Sequence, residues 1–237
     1  MSVKDFFILP FLILIIVLST IYAPLLSSWW GLISLIFLIL VIFQLFLYYE
    51  RKVTGSKEVA TISVLGAFSA ASRIPFAAIP SVQPCTFLIL ITGYVFGPAA
   101  GFMVGAETAL LSNFFLGQGP WTPWQMVAWG LIGVLGWFFR KIAKGRKYEY
   151  YLFLILGIIA GYLYGIIMNI SYWLLYMEPH TVAGFLYVES LSFWFDTLHA
   201  AGNVIFIDLF STRAIKILES FKLRFGLFNK NEAPSAS

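Results

Sequence analysis

Apolar residues run along this chain in long blocks rather than in the alternation of a strand or the one-sided stripe of a surface helix. Two blocks, at 6–24 and 29–49, are built mainly from Leu, Ile, Phe and Val with almost no internal polar group. Blocks of this length predict bilayer-crossing helices, since about 20 helical residues span the hydrocarbon core. A charged linker follows at 50–58, carrying Glu50, Arg51, Lys52, Lys57 and Glu58. Six further spans are expected at about 59–79, 84–97, 98–115, 122–142, 150–177 and 192–221, the last two overlong. The domain reading is therefore two N-terminal transmembrane helices (1–49), a basic cytoplasmic linker (50–58), a six-helix membrane domain (59–224) and a disordered tail (225–237). The first block is read as a retained helix, because it lacks a small-residue cleavage site and a second block follows at once.

Beyond the linker the blocks change character. Glycine, alanine, serine and intramembrane polar groups enter, as close helix packing and a polar interior require. Ala67 and Ala71 stand four apart in the third span, so they share one helix face that another backbone can approach. That face either packs within the subunit or docks a partner.

Composition excludes a soluble domain. Of 237 residues, 60% are hydrophobic and 11% charged, against roughly 25% charged in soluble proteins. The net charge of +4 is spread over short clusters between spans, which sets orientation rather than nucleic-acid binding. Arg140 to Lys147, the linker, and Lys216, Lys222, Arg224 and Lys230 place one set of loops and both termini in the cytoplasm. The loops near 80–84, 116–122 and 178–191 then face outward, and they hold no Lys or Arg. The single cysteine, Cys85, and two histidines 19 positions apart give neither a disulfide nor a metal-ligand spacing, so no metal or cofactor is expected.

Four sets of residues carry candidate chemistry. In the run from Asn113 to Gln125, Gly and Pro punctuate an outer loop, Trp121 and Trp124 offer flat apolar surface, and Asn113, Gln118 and Gln125 offer amides. This suits an organic ligand, although tryptophan is also enriched at any membrane interface. Arg73 lies near the outer end of its helix, in a corner that runs on through Gln83 to Cys85, and either snorkels to headgroups or meets an anionic group. Asp196, His199 and Asn203 fall on one helix face, opposite Asn169 and Trp173 near the end of the preceding span. An enzyme reading makes His199 a base oriented by Asp196, but no nucleophile stands beside them. Glu107 and Asp208 are intramembrane carboxyls, the basis of an alternative reading as a proton-coupled secondary transporter.

Residues 59–221 resemble the substrate-specific (S) component of energy-coupling factor (ECF) importers. The resemblance is carried by Ala67 to Ala71, Pro80-Ser81-Val82-Gln83-Pro84, Thr92 to Pro98, and Asn113 to Gln125 running into Trp129-Gly130. It implies an all-α membrane fold: a six-helix bundle, here preceded by two added helices. It also implies capture of a vitamin or related micronutrient from outside, with the Trp-rich run most similar to the cobalamin or cobalamin-precursor type. Ala67 and Ala71 would dock on a membrane coupling protein driven by two cytoplasmic ATPases. No phosphate-binding G-x-x-x-x-G-K-[ST] occurs in this chain, so ATP hydrolysis would belong to those partners.

Overall fold

The computed structural model describes residues 55–179 and 181–228, together with Ile36, Ile39 and Leu40, which are helical. The expected N-terminal spans, most of the basic linker and the end of the tail lie outside the described residues. Six α-helices follow in order: α1 (Ser56–Arg73), α2 (Cys85–Phe96), α3 (Pro98–Leu116), α4 (Trp121–Ala143), α5 (Glu149–Tyr176) and α6 (Val182–Phe225). No strand occurs among the described residues.

Local chemistry sets the ends. Pro75 enters a 3-10 turn, Ile74–Phe76, directly after α1, since proline cannot extend an α-helix interior. Gly97 joins α2 to α3 at φ +108, a conformation that side chains disfavour, and Pro98 then opens α3 at the position where its missing N–H costs nothing. Thr181 accepts from the Gly184 amide at 3.1 Å to cap α6. Gly226 closes that helix in the left-handed region.

Four of these segments are long and apolar enough to cross a membrane: Ser56–Phe76, Pro98–Leu116, Trp121–Ala143 and Glu149–Tyr176. The chain is thus a multi-pass membrane protein. Two helices depart from the expected pattern. α2 has only 12 residues, about 18 Å of helix, and is enclosed by its neighbours, with Ile89, Leu90, Ile91 and Val95 fully buried. α6 has 44 residues, about 66 Å, twice the roughly 30 Å hydrocarbon thickness. Its first ten residues, nearly three turns, occupy the stretch from 182 to 191 that was expected to be outer loop.

Backbones approach closely at the bundle centre. A Cβ on Gly93 of α2 would lie 1.8 Å from the Gly133 carbonyl oxygen of α4, and one on Gly101 of α3 would lie 2.7 Å from it. These glycines bring α2, α3 and α4 into van der Waals contact, the small-residue mode of membrane helix packing. α1 packs chiefly on α3, and α5 on α6. The outer surface is apolar, with Val64, Phe68, Ile155, Ile159, Leu209 and Phe210 exposed, as lipid contact requires.

Candidate functional site

A polar cluster lies at one end of the bundle, opposite the end bearing Arg140, Lys144 and Lys222. The last turns of α1 and α3, the first turns of α2 and α4, and the facing parts of α5 and α6 all contribute.

Arg73 is its centre. The side chain is only 7% exposed, so it does not snorkel to the membrane surface; it turns inward. Its Nε donates to Gln83 Oε1 at 2.7 Å, and Nη1 donates to Ser112 Oγ at 2.5 Å and Asn113 Oδ1 at 3.2 Å. The guanidinium carbon sits 4.5 Å from the centre of the Trp129 ring, a cation–π contact strengthened by desolvation. Every acceptor is neutral. The ion pairs among the described residues are Arg140–Glu219 and Lys144–Glu219, at the other end.

The neighbours of Arg73 are themselves fixed. Ser112 spends its proton on the Thr108 carbonyl at 2.6 Å, which leaves its oxygen to accept from Arg73. Asn113 donates to Gln125 Oε1 at 2.7 Å and Thr122 Oγ1 at 3.0 Å. Gln125 donates to the Tyr164 hydroxyl at 3.1 Å. Tyr164 stacks on Trp129 at 4.8 Å and meets the His199 ring edge-on at 5.0 Å. The indole N–H of Trp129 donates to Thr86 Oγ1 at 3.0 Å, and Thr86 lies 2.7 Å from His199 Nε2. An indole N–H can only donate, so the Thr86 hydroxyl is free to give its proton to His199 Nε2, leaving the ring proton on Nδ1.

A second cluster links α5 and α6. Ser192 donates to Asp196 Oδ2 at 2.7 Å, and Asn169 Nδ2 lies 2.6 Å from Ser192 Oγ and 3.5 Å from Asp196 Oδ2. Asp196 and His199 therefore bond to different partners, so the acid–base dyad of the enzyme reading is not formed.

The structure brings together Arg73, Gln83, Asn113 and Gln125, with His199 joined through Thr86 and Trp129. Gln118 closes the α3–α4 turn, donating to the Leu110 carbonyl at 3.1 Å and accepting from Thr122 at 2.9 Å. Trp121, Trp124 and Gln125 stand on the first turns of α4 rather than in a loop. The two tryptophans also diverge: Trp121 is exposed and Trp124 buried in the core, so they do not form one flat platform. Trp173 packs edge-on against Phe185 at 5.9 Å. Asn203 lies deeper, donating to the Gly157 carbonyl at 3.1 Å. Ala67 and Ala71 are exposed on the lipid-facing side of α1. Sequence reasoning did not single out Thr86, Ser112 or Tyr164 as site residues. Thr86 and Ser112 carry a usable signal, a hydroxyl among the few polar groups of a mainly apolar span, while Tyr164 is hidden among the many aromatic residues of α5.

Residues 57–218 match the family described as the ECF transporter, substrate-specific component. Relatives include UPF0397 proteins. That of Aliivibrio fischeri (strain MJ11) is 26% identical over 142 residues, covering 54% of this chain and 75% of that protein. That of Vibrio atlanticus (strain LGP32) is 26% identical over 168 residues, covering 65% of this chain and 85% of that protein. No solved structure matches the chain.

Proposed function

The chain belongs to the family of substrate-specific components of ECF transporters, and from that premise we propose that it captures a vitamin-like micronutrient at the polar end of its bundle. The protein is then the substrate-binding membrane subunit of an ECF importer, a transport subunit. The observation that carries the site assignment is the cluster around Arg73, where polar side chains from α1, α2, α3, α4, α5 and α6 meet inside an otherwise apolar bundle. Intramembrane polar residues are costly and mark ligand or ion paths.

The basic end, with Arg140, Lys144 and Lys222, is cytoplasmic by the excess of positive charge there, so the Arg73 cluster faces outward to receive ligand. Ala67 and Ala71 on α1 are the proposed contact for a membrane coupling protein, whose two cytoplasmic ATPases would supply the energy for delivery. The ligand panel includes cobalamin and its precursors, the class to which the tryptophan-rich run is most similar.

Native mass spectrometry of the detergent-purified protein tests this reading. A co-purified small molecule, or saturable binding of one panel member at micromolar concentration or below, is the expected result. A protein that ignores the whole panel would sink the capture role.

A further inference from the structure

The geometry points to the substrate class: the captured ligand carries an anionic group, a carboxylate or phosphate, that seats on Nη2 of Arg73. This rests on the capture reading above and goes beyond it by naming the ligand's chemistry.

The donor count carries the inference. A guanidinium has five N–H groups and no acceptor. In Arg73 the Nε–H is spent on Gln83, and Nη1 serves both Ser112 and Asn113. Nη2 makes no hydrogen bond among the described residues. It is also absent from the fully enclosed side-chain atoms that lack a partner, among them Ser69 Oγ, Glu107 Oε2, Glu189 Oε1 and Asn203 Oδ1. Nη2 therefore keeps access to open space although its residue is buried. Two N–H groups of a buried cation thus remain without a protein acceptor among the described residues.

The charge balance agrees. A cation removed from water is stable when an opposite charge or a full set of hydrogen bonds replaces its hydration. Among the described residues, no carboxylate forms an ion pair with Arg73, and Asp196, the acid at the same end, is held by Ser192 and Asn169. Trp129 covers one face of the guanidinium and is backed by Tyr164. The surrounding acceptors are locked by their own bonds, so the guanidinium is held in place before ligand arrives. Such preorganisation favours affinity. The missing counter-charge is supplied by the ligand.

The test uses pairs that differ at the anionic group: nicotinate and nicotinamide, biotin and biotinamide, pantothenate and pantothenol, riboflavin 5′-phosphate and riboflavin. Binding to the full-length protein in detergent is measured by isothermal titration calorimetry. For the pair that binds, the anionic member is expected to bind about 10- to 100-fold more tightly than the neutral one, the range of a charge-assisted hydrogen bond. The Arg73→Gln variant should erase that difference and Arg73→Lys should restore part of it, with Arg146→Gln as an exposed control. The comparison on the unsubstituted protein stands even where Arg73→Gln fails to fold. Equal affinity for both members of a pair overturns the anion inference and leaves the capture role intact. Binding confined to a panel vitamin that carries no carboxylate or phosphate overturns the anion inference alone, and no binding by any pair member or by the rest of the vitamin panel, cobalamin and its precursors included, overturns both. A phospholipid retained in native mass spectra and lost in Arg73→Gln, with no charge discrimination among the pairs, assigns Nη2 to a lipid headgroup and also overturns the inference.

Discussion

A single hydroxyl, that of Thr86, joins two aromatic residues of the cluster. It accepts from Trp129 and stands 2.7 Å from His199. Replacing Thr86 by Val keeps the shape but leaves both ring nitrogens without that partner in a buried setting, at a cost of about 1–3 kcal/mol. Thr86→Ser retains the oxygen. Thermal unfolding in detergent should therefore place the Val variant well below Ser, and equal midpoints would show that the hydroxyl is dispensable. Asn203 is a contrasting case at the same scale. Its spacing from Asp196 and His199 put it on their helix face, yet its side-chain amide ties α6 to the Gly157 carbonyl of α5, a helix-packing role. Sequence spacing identifies a face of a helix; it does not say how deep along that face a side chain meets its neighbour.

Among the helices, glycine decides separation. At Gly93 an added methyl would overlap the Gly133 carbonyl oxygen, 1.8 Å away, and both partners are backbone that cannot turn aside. Gly93→Ala should destabilise the bundle by at least about 3 kcal/mol, the upper part of the overpacking range. A fall in the thermal midpoint checks this, and an unchanged midpoint would refute the close approach. Ala67 and Ala71 are small for a different reason, since they face outward from α1. Ala67→Leu with Ala71→Leu should leave stability within about 0.5 kcal/mol and ligand binding unchanged, while abolishing ATP-driven uptake in vesicles that contain the coupling module. Lost binding would instead assign this face to the internal fold. The small residues of both kinds are visible in the sequence as one pattern, and only their neighbours distinguish an internal contact from an open face.

At the scale of the whole molecule, the two ends differ in electrostatics. The end at Arg73 holds a cation that forms no ion pair among the described residues, while the opposite end is clasped. Glu219 of α6 lies 2.9 Å from Arg140 and 2.7 Å from Lys144, both at the end of α4, and Lys222 donates to the Val95 carbonyl of α2 at 2.9 Å. Partial burial alone would raise the Glu219 carboxyl, but Lys144 and Arg140 outweigh it and hold it below the usual carboxylate range. Because the folded-state value is depressed, the clasp contributes its full stability above the ordinary carboxylate pKa. That contribution is lost as pH falls through the depressed value. The groups are partly exposed, so the effect is small, about 1 kcal/mol or less. A Glu219→Gln variant should lower the thermal midpoint slightly at pH 7, with the gap to the unsubstituted protein closing in acid. A gap that persists at low pH would mean that the clasp acts by packing rather than by charge.

The sequence by itself determined the solvent, the helical class and most helix limits. Long apolar blocks have no other stable form in a bilayer, where every backbone N–H and C=O must be satisfied internally. It also placed Arg73, Asn113 and Gln125 among the candidates, because polar groups inside such blocks are too costly to be incidental. The α3 and α4 boundaries were legible for the same reason, with Gly97-Pro98 and Gly117 to Pro120 as punctuation. The tertiary structure decided which of these groups meet. Arg73 and Asn113 are 40 positions apart and bond only because α1 packs on α3. Trp121 and Trp124 are three apart on one helix face, yet Trp121 stands exposed at the first residue of α4 while Trp124, a turn further in, is buried against the neighbouring helices. Proximity in a bundle comes from crossings between helices, and the direction of a charge comes from which of its donors are already spent, neither of which a linear pattern encodes.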